Sequence, residues 1–468
     1  MSGQFAAMVL RSWAMTWREE IIKAGCEADA DLVSALELTA AFLRIASRDV
    51  GEVRRDHADA ILSVERDRVS KAVSEELRVL GDIPTEYLRT ALVRAVCVAL
   101  DGSALRHGIL ALLAANELDA RVGRTFVDAC RSRAGSRLRP GDPVPVVRFP
   151  SDRMVVAERE RVLAALGPRT GDPRNRTAPT DRTDHLRLAP AAVAHIRVRL
   201  TWADPWLEPV TAESRFAIGV TNDRDIAADF AWRSYVVGTQ PCFYGVSPKD
   251  GAEQKRKVSA VLEAAQQNKA TSVVLPELCL TKPLLDELRE EKRLDEISLF
   301  VAGSFHVPQT GDEPGSNVCE VFAFGEPMLR HEKFSDFHYA KDDQRWHEHV
   351  SRSDASGFDL LLAPESSAVV LICKDVFGDV GALVKELAPT LLFVPAMSLD
   401  TSEFKMLAEG LAHDPQGFTI VSCAGPRLNA IYGRPNRETP VFEGSYEAPT
   451  LVVFGPSGVL IEGEPRLN

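Results

Sequence analysis

The sequence has no CxxC pair and no cysteine–histidine spacing that would frame a zinc site. Its eight cysteines, Cys26, Cys97, Cys130, Cys242, Cys279, Cys319, Cys373 and Cys423, lie far apart. In a chain of this length that excludes a disulfide scaffold and predicts reduced thiols and a cytoplasmic home. No apolar run approaches the roughly 20 residues that a membrane-spanning helix needs, so no membrane partner is expected. Basic charge is not in surplus. The net charge is −12, which argues against a dedicated nucleic-acid binder and fits a small-molecule substrate or a protein partner. The opening MSGQFAAMVLRSWAMTWREE is interrupted by Arg11 and Arg18 and lacks a basic start and a small-residue cleavage site, so it is not read as a signal peptide. There is no clear internal repeat.

What is present is a globular composition, 45% hydrophobic and 26% charged. At 468 residues the chain is too long for one ordinary core, and two or three domains are expected. Residues 1–135 are dominated by Ala, Leu, Glu and Arg and read as a helical bundle, an all-α domain. Leu32, Ala35, Leu36, Leu38, Phe42 and Leu43 make one apolar face, and Ile61, Val64, Val69, Val73, Leu77 and Leu80 make another. Residues 136–190 are rich in Pro, Gly, Arg, Thr and Asp and read as a linker, partly disordered, with a short helix over Ala157–Leu166. Residues 191–468 carry the β signal. HIRVRLTW alternates polar and apolar residues; RFAIGV, SYVVGTQPCF, SVVLPE, SLFVAGS and FTIVSCAG read as further strands. Asn317–Phe324 with Met328–Lys333, and TLVVFGPSGVLIEG, read as hairpins, and Glu253–Asn268 as an amphipathic helix. Strands alternating with helices predict an α/β domain, most simply two packed sheets with helices outside.

The stretch around which this domain is organised is Ser366 to Pro395. Ala368–Ile372 is an unbroken apolar run, as a strand buried on both faces reads. Val380, Leu383, Val384 and Leu387 then fall on one helical face, and Pro389 stops that helix before the strand Leu391–Val394. Cys373 is thereby placed at the C-terminal end of a strand, on the turn into a helix, where open α/β sheets gather their chemistry. Glu277 ends SVVLPE, and Lys333 ends the second limb of its hairpin. A carboxylate, an amine and a thiol together suit attack on a carbonyl-like carbon. A free thiol is only a few per cent thiolate at neutral pH. A nearby carboxylate whose pKa burial has lifted can take its proton. A lysine ammonium and the backbone N–H after the nucleophile can hold the charge that develops on oxygen or nitrogen. His338, His347 and His349 lie close in sequence, with His347 and His349 on one strand face; a structural or substrate-lining role is preferred to metal ligation.

VVLPELCLT, NVCEVFAFGEPMLRHEKF and AVVLICKDVF resemble the three signature stretches of the nitrilase superfamily, the carbon–nitrogen hydrolases, and stand in that family's order. Gly303-Ser304 after a strand, Asn317 opening the hairpin and Val394–Ala396 after the cysteine helix match the same frame. The resemblance covers about residues 233–465. It implies an αββα sandwich that pairs into an oligomer through this domain, with Glu277 as general base, Lys333 as oxyanion stabiliser and Cys373 as nucleophile. It also implies a second glutamate between the lysine and the cysteine, for which Glu348 is the best-placed candidate. No cofactor and no metal is implied. Two departures stand out. Lys374 replaces the usual aromatic residue after the cysteine, although Asp375 matches the usual acidic one, and SEFKMLAEGLAHDPQGFTIVSCAG lacks an arginine-rich helix. Lys374 either favours an anionic substrate or turns to solvent.

The expected activity is cysteine-dependent hydrolysis of a non-peptide C–N bond through a thioester, with an amide preferred to a nitrile as substrate. The helical N-terminal part leaves room for a regulatory role or a protein partner. No glycine-rich phosphate loop follows the domain, which sets aside the branch of the family that feeds ammonia to a synthetase part. The alternative is a nitrilase-like sensor or assembly module with little or no hydrolysis.

Overall fold

A computed structural model describes residues 32–48, 67–71, 87–89, 107–147, 183–210, 214–219, 230–307, 315–341, 344–350, 357–398, 402–413, 417–423, 430–433, 442–443, 451–455 and 458–463. The chain divides into two compact units, one of Met1–Ala134, Arg139–Val146 and Pro150–Ala191, the other of Gly135–Leu138, Val147–Phe149 and Ala192–Asn468.

In the first unit the helix Ala35–Arg48 packs against the helix His107–Val122. Leu36, Leu38, Phe42 and Leu43 are buried, as their spacing on one face dictates. The unit is not helical throughout. Leu32–Ser34 pairs antiparallel with Tyr87–Arg89, and Pro143–Pro145 with Leu186–Leu188. The second pair falls inside the stretch expected to be a linker. Asp119 holds it down by accepting the backbone N–H groups of Asp184 and His185 at 2.7 and 3.0 Å. The expected helix at Ala157–Leu166 and most of the face from Ile61 to Leu80 lie outside the described residues.

The second unit is α/β, and its described residues form three sheets. The first has eight strands. Its continuous path runs Phe305–His306, Asn317–Ala323, Leu299–Val301, Ser272–Val274, Phe216–Gly219, Leu451–Gly455 and Gly458–Gly463, and Glu326–Glu332 pairs outside Asn317–Ala323. The second has seven, in the order Phe442–Glu443, Ala430–Gly433, Phe418–Cys423, Leu391–Ala396, Ser367–Val370, Gly357–Leu362 and Arg197–Trp202. Leu391–Ala396 lies parallel to both of its neighbours and is buried at every position, which is why its sequence is apolar without alternation. The two sheets are in contact: the Phe216 and Phe418 rings are 5.3 Å apart, and the Ser422 hydroxyl donates to the Gly219 carbonyl. Gly251–Gln267 covers the first sheet, capped by Asp250 accepting the Glu253 N–H. A Cβ at Gly219 would come within 2.8 Å of the Val261 side chain, so a glycine lets helix and sheet close. Gly378–Leu387 buries Val380, Leu383, Val384 and Leu387 and ends at Ala388, whose φ of 51° lies in the left-handed region.

The third sheet, His338–Lys341, Gln344–Glu348, Gln240–Pro248 and Phe230–Val237, differs from the sequence reading. SYVVGTQPCF is not one strand. Gly238, with φ at +64°, and Thr239 turn the chain between two antiparallel strands, the two-residue loop that a hairpin's twist favours. Nor do His347 and His349 share a strand face. The strand ends at Glu348; the His347 ring lies 4.1 Å from that of His338, its cross-strand partner, while the His349 ring meets Tyr235.

Candidate active site

Three chain segments deliver the predicted side chains to one place. Glu277 follows the strand Ser272–Val274 on a turn locked from two sides. Its own N–H donates to the Ala396 carbonyl at 3.3 Å, and the Leu278 N–H donates to the Ser304 hydroxyl at 3.2 Å. Gly303 makes that approach possible: its φ is +69°, and a Cβ there would stand 2.0 Å from the Pro276 carbonyl oxygen. Lys333 follows the strand Glu326–Glu332, with its N–H bonded to the Asn317 carbonyl. Cys373 opens a short 3₁₀ turn after the strand Ser367–Val370, with φ at +46°. A non-glycine residue in that region is strained, and such strain concentrates where side-chain aim matters more than stability.

Asp375 ties the lysine segment to the cysteine segment. Its buried carboxylate accepts the N–H groups of Phe334 and Ser335 at 3.2 and 2.8 Å, and lies 3.1 Å from Nε2 of His331. The side chain of Lys374 reaches back to the Asp336 carbonyl at 2.7 Å, so this residue braces the same junction from the other side.

At the centre, Lys333 Nζ donates to Oε1 of Glu277 at 2.7 Å and to Oε2 of Glu348 at 2.6 Å. Asn317 Nδ2 donates to Oε1 of both carboxylates, at 3.1 Å to Glu277 and 2.9 Å to Glu348. The Cys373 thiol lies near enough to Glu277 and Lys333 for both charges to act on it. His306 Nε2 lies 2.8 Å from Oε1 of Glu348. Glu277, Lys333 and Cys373 are each 2% exposed and Glu348 3%, so these charges interact with little solvent screening.

That burial sets the protonation states. Burial disfavours the charged form of Lys333, but the two carboxylates outweigh it and hold the ammonium well above the ordinary lysine range. Glu277 is raised, first by burial and then by the charge of Glu348, against the pull of Lys333 and the Cys373 thiol. Glu348 goes the other way. Burial works to raise it, yet Lys333 and the hydrogen bond to His306 hold it down at about 2. Burial and the Glu277 charge push the Cys373 thiol well up, opposed by Lys333 and a hydrogen bond from the Met397 backbone. At rest the thiol is neutral, Lys333 and Glu348 are a fixed ion pair, and Glu277 is the carboxylate readiest to take a proton.

The structure thus brings together Glu277, Lys333, Cys373 and also Glu348, which the strand Gln344–Glu348 carries in beside Phe243 of Gln240–Pro248. His338 and His347 are not among the residues bonded to this centre, and among the described residues no group of three or more His, Cys, Asp and Glu side chains could hold a metal ion. Sequence reading missed His306 and gave Asn317 no chemical part. Both open or close short strands, and their roles come from the pairing of His306 with Asn317 across the first sheet, which no local pattern announces. Cys130, Cys242, Cys279, Cys319, Cys373 and Cys423 are free thiols. Among the described residues no helix is long and apolar enough to cross a membrane.

No family model matches the sequence, and no curated protein matches it. Solved structures with a similar chain course include a mutant of the amidase from Nesterenkonia sp. AN1, showing the result of Michael addition of acrylamide at its active-site cysteine, at 15% identity and a TM-score of 0.36, covering 51% of this chain and 92% of that one. Others are glutamine-dependent NAD+ synthetases from Acinetobacter baumannii, at 14% identity and a TM-score of 0.34, and from Cytophaga hutchinsonii, at 12% and 0.29. This chain is matched over 55% and 54% of its length by these synthetases and spans 49% and 40% of theirs.

Proposed function

We propose that the second unit is a cysteine-dependent carbon–nitrogen hydrolase of the nitrilase type, an αββα sandwich acting on a non-peptide amide. The observation that carries this reading is the buried cluster in which Lys333 bonds both Glu277 and Glu348 while the charges of Glu277 and Lys333 act on the Cys373 thiol.

Each group has work that suits its environment. Glu277 accepts the thiol proton as Sγ attacks the amide carbon, and its raised proton affinity makes that transfer feasible. The C=O electron pair moves onto oxygen, where the Lys333 ammonium and the Lys374 backbone N–H stabilise the negative charge. Protonated Glu277 then gives its proton to the leaving nitrogen, the C–N bond breaks and a thioester remains on Cys373. Water, deprotonated by Glu277, attacks that thioester; the second tetrahedral intermediate collapses to the acid, and the proton returns to sulfur. Glu348 stays ionised throughout and keeps Lys333 charged without becoming a competing base. Net charge over Glu277, Lys333, Glu348 and Cys373 is unchanged when the proton moves from sulfur to carboxylate, so the step creates no new buried charge.

The test is release of ammonia or amine from a panel of small aliphatic and aromatic amides. Wild type is expected to turn over at least one of them and Cys373→Ala none. A Cys373→Ala protein that matches wild type on every amide turned over would end the proposal.

A further inference from the structure

Glu277 and Glu348 share two donors, Lys333 Nζ and Asn317 Nδ2, and differ in their remaining neighbour. For Glu277 it is the Cys373 thiol, whose proton affinity the Glu277 charge raises. For Glu348 it is His306. The imidazole is held on both sides of its ring. Nδ1 accepts the Val246 N–H at 3.0 Å, so in the neutral ring the proton sits on Nε2 and points at Glu348. Tyr244 stacks on the ring at 4.2 Å with planes 9° apart, and its hydroxyl is fixed by the Val307 carbonyl at 2.5 Å. Burial keeps His306 from charging, against the attraction of Glu348. The partner that distinguishes two otherwise similar carboxylates is therefore an N–H donor in its neutral form, the form that burial favours.

We infer that His306 is a positioning residue that assigns the two glutamates their roles, anchoring Glu348 as the fixed counter-charge of Lys333 and leaving Glu277 as the proton carrier. This rests on the function proposed above. The titratable and charged groups that act on the pair are Lys333, Glu277 and Tyr244. Without the imidazole N–H, Glu348 draws Asn317 and Lys333 toward itself. Glu277 then loses stabilisation of its charged form, its proton affinity rises further, and the thiol is activated only at higher pH.

The test needs no natural substrate. Carboxamidomethylation of Cys373 by iodoacetamide is followed from pH 5 to 9 by peptide mass mapping on the full chain, with melting temperatures alongside. Wild type is expected to show an acid limb set by Glu277. His306→Leu is expected to move that limb to higher pH and slow labelling at pH 6 at least threefold, and His306→Gln, whose amide N–H reaches the Nε2 position, to restore it. His306→Asn, too short to reach Glu348, is the second loss variant should the leucine protein not fold. A folded Leu or Asn protein whose limb stays put or moves to lower pH overturns the inference, as does a Gln protein that behaves like Leu. Glu277→Gln separates the two claims. If it labels like wild type across the whole range, the proposed function fails and this inference with it; if it loses the limb, the base stands and the His306 variants decide alone.

Discussion

Replacing Lys333 by methionine probes the electrostatic centre directly. In the wild type one ammonium bridges two buried carboxylates at 2.7 and 2.6 Å. Methionine fills similar volume but leaves Glu277 and Glu348 facing each other across Asn317. Removing one partner of a buried ion pair costs about 3–5 kcal/mol when the charge left behind stays ionised. Glu277, already raised with the lysine present, escapes that cost by taking up a proton. Its folded pKa then stands further above the unfolded value of about 4.3. A carboxylate raised in this way favours folding below its unfolded pKa and loses that advantage as pH climbs toward the folded pKa, at about 1.4 kcal/mol per unit. Glu348 in the wild type behaves oppositely: held at about 2, it contributes stability above its unfolded pKa that is lost as pH falls toward 2. The gap between variant and wild type must therefore be widest near pH 8 and narrow toward pH 5. Urea midpoints followed by tryptophan fluorescence measure it, since Trp202, Trp206, Trp232 and Trp346 all lie in the second unit. A variant equally destabilised at both pH values, or not destabilised at all, would refute the shared-ammonium geometry. Amide turnover should fall about 10²–10³-fold as well, the usual loss for one oxyanion donor.

Asp375→Asn keeps the shape but weakens the three contacts that join the lysine and cysteine segments; a loss of about 1–3 kcal/mol, of the size given by charge-assisted hydrogen bonds, should appear in the same urea midpoints together with slower labelling of Cys373. Gly303→Ala must displace the Pro276 carbonyl and with it the Glu277 turn, so it should destabilise by more than about 1 kcal/mol and lower turnover; an alanine protein as stable and active as wild type would show that the turn is not locked as described. The raised proton affinity of Glu277 predicts that kcat/KM falls with decreasing pH along a limb centred above the ordinary carboxylate value of about 4.3, and a limb at or below that value would contradict its proposed role as base.

The parts of this site that a linear reading finds are those whose signal is local. Ala368–Ile372 and SVVLPE announce buried strands because both faces are covered, and a polar residue ending such a run stands out. That is how Cys373 and Glu277 are found, and Lys333 follows from the hairpin Asn317–Phe324 with Met328–Lys333. Glu348 is visible only as a glutamate at a suitable distance along the chain, because its strand reaches the site by pairing with Gln240–Pro248, roughly a hundred residues away. His306 reads as an ordinary polar residue after SLFVAGS. Its meaning depends on Val246 and Tyr244 of one strand and Asn317 of another. The hairpin turn at Gly238 is overlooked because Val237 and Gln240 continue a β-like composition on either side of it. In the first unit, Pro143–Pro145 and Leu186–Leu188 hide within a Pro- and Arg-rich stretch, since three-residue strands leave no periodicity to read.

The most direct test of the central claim is intact-mass analysis of acid-quenched wild-type protein after brief incubation with the amide panel, followed by peptide mapping. The account predicts a mass increase equal to the acyl group of a substrate, located on Cys373, removed by hydroxylamine and missing from Cys373→Ala. Steady turnover of an amide in which the adduct forms on another residue, or in which Cys373→Ala releases product as fast as wild type, would contradict it.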